Sequence, residues 1–137
     1  VTKKAFLDTN IVADVMDGAR VKHKDAMRLL ERLILDEYDI CVSEDMITTL
    51  YYICKDKTAA LEFFRNVIFV DWRILSFNMD ILALGVEKSL ESGLDLEDIL
   101  QCLCAKSGDC TLLVTNDKKF FDCGIEILSV EQFLIKN

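Results

Sequence analysis

A three-layer α/β/α sandwich around a parallel sheet of about five strands is the fold this sequence predicts. Three observations carry that expectation. Short apolar runs alternate with longer stretches of helical periodicity along the whole chain. The apolar runs lack inward–outward alternation, as strands do when helices cover both faces of a sheet. Hydrophobic residues make up 52% of the 137, enough for a sizeable core that needs no metal or disulfide to hold it. The length argues for a single domain over residues 1–137, and no linker, repeat or low-complexity segment interrupts it.

Element by element, Ala5-Phe6-Leu7 forms strand one and ends at Asp8. A helix follows from Thr9 to Asp17 and closes at Gly18. Ala26, Leu29, Leu30, Leu33 and Ile34 recur at helical spacing, giving an amphipathic helix over Val21–Glu37. Ile40-Cys41-Val42 is strand two, and Ser43 suits the N-cap of a helix running to Lys55. Thr58 is placed to cap a helix through Phe64, and Ile68-Phe69-Val70 reads as strand three. Phe77, Ile81 and Leu84 mark the inner face of a helix ending near Gly93. Leu96, Ile99, Leu100 and Leu103 mark the next, closed near Gly108. Leu112-Leu113-Val114 is strand four and Ile125-Glu126-Ile127 a short strand five. Ser129 caps a last helix that turns Val130, Phe133 and Leu134 inward.

Lys and Arg number 16 against 24 Asp and Glu, a formal net charge of −8. That disfavours a plain basic surface gripping nucleic-acid phosphates. It leaves room for a nuclease in which bound cations supply the attraction. The six cysteines include no C-x-x-C pair, and His23 is the only histidine, so zinc-site spacings are absent. Most of the cysteines lie in apolar runs and are expected as reduced core thiols. No apolar stretch approaches the roughly 18 residues of a membrane span. Val1-Thr2-Lys3-Lys4 runs directly into strand one, so no signal peptide is expected. A cytoplasmic protein is the expectation.

The chemistry, if any, rests on acidic residues at strand ends and helix starts. Asp8 ends strand one, Asp95 and Asp98 open the helix after Gly93, and Asp117 follows strand four. In open α/β sheets the carboxyl edge of the strands is where ligands bind. Asp95 and Asp98 are spaced to share one helix face. If strands one and four are neighbours, all these carboxylates converge from distant segments. Magnesium takes hard oxygen ligands, and such an ion activates water and offsets charge on a phosphodiester. Taken singly, each aspartate also reads as a helix cap that accepts backbone N–H bonds. Asp95 with Asp98 resembles a capping box, and Asp117 is placed to cap a short helix around Phe120.

These segments, in this order, resemble the PIN-domain family, in particular its VapC-type toxins. Phe6-Leu7-Asp8-Thr9-Asn10 resembles the opening strand with its first acidic residue. Leu94-Asp95-Leu96-Glu97-Asp98-Ile99-Leu100 resembles the segment of the third, placed on Asp98. Leu113-Val114-Thr115-Asn116-Asp117 resembles the fourth, with Thr115 as its hydroxyl neighbour. Ile127-Leu128-Ser129-Val130-Glu131-Gln132-Phe133-Leu134 resembles the closing strand and helix. The resemblance implies a Mg²⁺- or Mn²⁺-dependent endoribonuclease, the toxin of a toxin–antitoxin pair, homodimeric and restrained by a small antitoxin protein. It implies Asp8, Asp98 and Asp117 as metal ligands, Asp95 as a further carboxylate and Thr115 as an orienting hydroxyl, with RNA as substrate.

One position departs from the family's pattern. Its second acidic residue, a glutamate before the aromatic Tyr51-Tyr52, falls here on Thr49. Asp45, one helical turn earlier, and Glu44 beside it are possible substitutes; equally, both suit a helix N-terminus. A degenerate module that binds RNA or a protein without cutting therefore stands as the alternative, with DNA as a remoter substrate. Thr9 and Asn10 are candidates to orient Asp8 or to satisfy the first helix start. Lys118 and Lys119, or Lys55, Lys57, Arg65 and Arg73, are either phosphate contacts or solvated charge. His23 is expected at the surface. Tyr51, Tyr52, Phe63, Phe64 and Trp72 suit a core or a protein interface better than base stacking.

Overall fold

The computed structural model describes residues 2–136. Five parallel strands lie side by side in the order β3-β2-β1-β4-β5: β1 Lys3–Leu7, β2 Tyr38–Ser43, β3 Arg73–Leu75, β4 Leu112–Val114 and β5 Glu126–Leu128. The helices between them are α1 Thr9–Met16, α2 His23–Leu35, α3 Met46–Ile53, α4 Lys57–Phe63, a π-helical turn Phe64–Ile68, a short α5 Phe69–Asp71, α6 Met79–Ser92, α7 Leu96–Ser107 and α8 Val130–Lys136. The sheet grows outward from β1 to β2 to β3, then the chain returns across it to β4. Right-handed crossovers that run in opposite directions place their helices on opposite faces, so the connection through α6 and α7 covers the face that α1 and α2 leave open.

Phe6, Leu7, Cys41, Val42, Leu113 and Val114 are inaccessible to solvent, as befits central strands buried on both faces. Ile11, Leu29, Leu33, Leu50 and Phe133 close over them from the helices. Ile81, Ile99, Leu100 and Leu103 make a smaller cluster between α6 and α7. Gly85 allows that approach, because a Cβ there would lie 2.5 Å from Leu100 Cδ2. Gly93 ends α6 in the left-handed conformation (φ 71°), which lets α7 begin again at Leu96 after a tight turn. That turn carries Asp95 to the head of α7.

Most expected elements are present, with three corrections. The segment Ile68-Phe69-Val70 is helical, not strand three, and β3 lies beyond it at Arg73–Leu75. A three-residue apolar run does not distinguish strand from buried helix. Here α4 continues through the π turn, burying Ile68 and leaving Phe69 and Val70 exposed. At α4 the cap is Asp56, whose Oδ1 accepts from the Ala59 N–H at 3.0 Å, rather than Thr58. No helix follows Asp117; turns and irregular chain lead to β5.

The thiols depart from expectation as well. Cys102 on α7 and Cys123 on the approach to β5 form a disulfide, while Cys41, Cys54, Cys104 and Cys110 are free. The pair was not legible in spacing because it depends on the chain after β4 folding back against α7. Lys106 Nζ donates to the Cys123 carbonyl at 3.1 Å and ties the same two segments. The bond spans 21 residues; closing a loop of that size restricts the unfolded chain by up to about 3 kcal/mol. Dithiothreitol, or Cys123→Ser, is accordingly expected to lower the melting temperature. Superimposable melts with and without reductant would mean the bond contributes nothing to stability.

Candidate active site

Parallel pairing of β1 with β4 sets Leu7 opposite Val114. The next residue on each strand, Asp8 and Thr115, therefore emerges side by side at the carboxyl edge. This is where the strand order reverses, the crevice in which open α/β sheets bind ligands. Thr115 Oγ1 donates to Asp8 Oδ2 at 2.8 Å and accepts from the Asp117 N–H at 3.1 Å. Asp8 is also the N-cap of α1, its Oδ1 accepting from the Thr9 N–H at 2.8 Å. It thus acts both as cap and as inward-facing carboxylate, and the two readings open from sequence are not exclusive.

Asp95 is the N-cap of α7, with Oδ1 accepting from the Asp98 N–H at 3.1 Å. That bond fixes the backbone of Asp98 in the first turn of α7. Burial pushes the Asp98 carboxyl up to about 6, and the charges of Asp8, Asp95, Asp117 and Glu97 push the same way. Burial also raises Asp8, with a smaller rise from Asp117, while its bonds from Thr115 and Thr9 lower it. Carboxylates from α1, α7 and the chain after β4 thus share one edge and repel one another. Asp117 is exposed there, its Oδ1 accepting from the Lys119 N–H at 2.9 Å. Asn116 turns away to accept from Val130 N–H at 3.2 Å, at the head of α8.

A PIN-domain family model matches residues 5–125. The chain belongs to the PIN-domain family. Ribonuclease VapC1 of Aquifex aeolicus (strain VF5) is 34% identical to it, over 96% of this chain and 94% of that protein. Among solved structures, a toxin–antitoxin complex from Klebsiella pneumoniae is similar with a TM-score of 0.71, at 20% identity over 93% of this chain and 98% of that one. Mycobacterium tuberculosis VapC20, a sarcin–ricin loop cleaving toxin, is similar with a TM-score of 0.67, at 16% identity over 89% and 96% of the two chains. At those identities the structures speak to the fold alone, and they agree with the parallel sheet found here.

This PIN domain brings Asp8, Asp98, Asp117 and Thr115 to one edge and Asp95 beside them as a cap. Thr49 is a half-exposed residue of α3, with no carboxylate to offer. The two candidates near it behave differently. Glu44 accepts from Ser76 Oγ at 2.8 Å and so is engaged beside β3. Asp45 stands at the N-cap of α3 but makes no capping bond; Ser43 Oγ accepts from the Met46 N–H at 3.3 Å instead. Sequence reasoning passed over Glu97, whose carboxyl is raised by burial and by the charges of Asp45, Asp95 and Asp8. Its only sequence signal was adjacency to Asp98.

Thr9 lends Asp8 its backbone N–H, whereas its hydroxyl is buried without a partner among the described residues. Asn10 lines a cavity of about 600 Å³ with Asp8, Asp117, Arg20 and Lys22. Arg20 is held by the buried Asp14, Nε to Oδ1 at 2.7 Å. His23 is half-buried, its Nδ1 2.8 Å from the Asp14 carbonyl, a structural role. Lys57 binds the carbonyls of Tyr51 and Tyr52 at the end of α3, and Arg73 pairs with Asp39 at 2.8 Å. With Lys57 and Arg73 so engaged, the four basic residues Lys55, Lys57, Arg65 and Arg73 are not a free patch. Trp72 is edge-on to Phe63 in the core, as expected.

The donor set of the edge is carboxylate and hydroxyl oxygen, which suits magnesium or manganese rather than zinc. Among the described residues, no three of His, Cys, Asp and Glu make a group that would hold an ion as they stand. Magnesium keeps several waters and needs only one or two carboxylates, so the arrangement fits a hydrated ion.

Asp98 rises from an ordinary 3.8 to about 6. Between those values the folded chain keeps a proton that the unfolded chain has released, so stability falls as pH rises through that window. In EDTA, Asp98→Asn is therefore expected to melt above wild type at about pH 7 and close to it at about pH 4. Equal melting temperatures at both values would remove the repulsion inferred for this edge.

Proposed function

We propose that this PIN domain is a metal-dependent endoribonuclease, the toxin of a toxin–antitoxin pair. The observation that carries this reading is the convergence of Asp8, Asp98 and Asp117, with Thr115 bonded to Asp8, at the strand-order reversal. The ribonuclease relative at 34% identity supports the substrate class, and the toxin–antitoxin complex in the same fold supports the setting. Asp8, Asp98 and Asp117 would hold Mg²⁺ or Mn²⁺. When bound, such an ion supplies Lewis-acid stabilisation of the phosphodiester and activation of a water. Thr115 fixes the rotamer of Asp8 through its short hydrogen bond, and Asp95 fixes the start of α7, hence the position of Asp98. Several negative charges at one edge repel a phosphate by themselves, so RNA and cation would bind together.

The partners proposed with this reading are RNA, a small antitoxin and a second copy of the chain. Apolar side chains left exposed on α6, including Met79 and Leu90, both 75% accessible, suit a protein partner. We take residues 1–137 as one domain and place the protein in the cytoplasm. Thiol reductants there would set whether Cys102–Cys123 is closed.

The deciding experiment is cleavage of a labelled single-stranded RNA with Mn²⁺, Mg²⁺ or EDTA, beside Asp98→Asn prepared identically. Wild type is expected to cut only with metal, and the variant to lose on the order of 100-fold or more. Equal cutting by both preparations would mark a contaminant. No cutting by either would favour the non-catalytic binding module that neutral Thr49 suggests.

A further inference from the structure

Three buried side-chain polar atoms lack a hydrogen-bond partner among the described residues: Thr9 Oγ1 and both amide atoms of Gln101. Thr9 adjoins Asp8. Gln101 lies on α7, fully buried, and orphaned groups of this kind are costly and uncommon in folded proteins. Residues three and four positions earlier on a helix share a face, and side chains lean toward the helix N-terminus. Gln101 therefore lies on the helix face that also carries, one turn earlier, Glu97 and Asp98. One turn further along the same face, Cys104 Sγ contacts the Ser76 carbonyl at 3.9 Å, just beyond β3. The Glu44 N–H, in turn, donates to the Leu75 carbonyl at 2.8 Å. This face of α7 thus looks toward the junction of β2 and α3, where Asp45 stands without a capping bond.

We propose that Gln101 is a positioning residue of a cation site that Asp45 and Glu97 complete. Its amide N–H turns the Glu97 carboxylate toward Asp45, and the pair supplies the oxygen position that Thr49 leaves open. The inference rests on the metal-dependent reading above and names residues of this chain outside its three main acidic positions. A glutamine serving only the fold usually pairs its buried amide. One poised for a loaded site remains unpaired until the cation draws the carboxylates in.

Mn²⁺ affinity, measured by calorimetry, separates these cases when paired with melting in EDTA for wild type, Asp8→Asn, Asp45→Asn, Glu97→Gln and Gln101→Met. Gln101→Met is expected to weaken Mn²⁺ binding by roughly 10- to 100-fold, with a metal-free melting temperature equal to or above wild type. Asp45→Asn and Glu97→Gln are expected to weaken binding likewise. Unchanged affinity in Gln101→Met, or a loss accompanied by a lower metal-free melting temperature, overturns the role of Gln101. If Asp8→Asn abolishes binding while the other three variants bind as wild type, only this inference falls. If wild type itself binds no Mn²⁺, it falls together with the metal-dependent reading.

Discussion

Asp8 and Thr115 are 107 residues apart in sequence and 2.8 Å apart in space, and everything else at the site follows from how they meet. Parallel strands place corresponding ends at the same edge of the sheet, and the Leu7–Val114 register aligns these two. One residue of slip on β4 would carry Thr115 away from Asp8 and turn Val114 to the other face. Register is protected by burial: Leu7, Leu113 and Val114 are inaccessible to solvent, so every slip exposes or misplaces a core residue. The hydrophobic core thereby sets the geometry of the polar site at its rim, where the Asp8 N–H donates to the Val114 carbonyl at 3.0 Å.

Charge makes that edge costly. Asp98 is raised by burial and by four other carboxylates, and Glu97 by burial and three. Opposing this are bonds that hold individual groups in place: Thr115 and Thr9 on Asp8, the Asp98 N–H on Asp95. Helix N-termini at α1 and α7 add a favourable field for anions. The same residues therefore stabilise the helices and accumulate the negative charge that a divalent cation would offset. Capping and ligation are compatible here because a carboxylate has two oxygens, and at Asp8 each is engaged differently.

Much of this was legible in the chain. Ala5-Phe6-Leu7-Asp8 and Leu113-Val114-Thr115 read as strand followed by edge residue because the change from apolar to polar is abrupt. Asp95 and Asp98 were placed on a helix start because Gly93 precedes them. What failed had weak local signals. Ile68-Phe69-Val70 is compatible with strand or helix, and only packing against the rest of the core selects the helix. The Cys102–Cys123 bond joins a helix to a segment without regular structure, which no periodicity reveals. Glu97 was hidden beside Asp98, since adjacent helical residues point about 100° apart and which of them faces the site depends on the packing of α7.

By itself, then, the sequence determined the fold class and the order of nearly all elements, and it offered Asp8, Asp95, Asp98 and Asp117 as candidate site residues. Apolar periodicity and capping chemistry act over a few residues and are written locally. Tertiary structure alone decided that β1 and β4 are neighbours, that Cys102 meets Cys123, and that, among the described residues, Gln101 is buried without a partner. Those outcomes depend on which distant surfaces pack together. Such contacts join residues from segments far apart in the chain, so no window of sequence contains them.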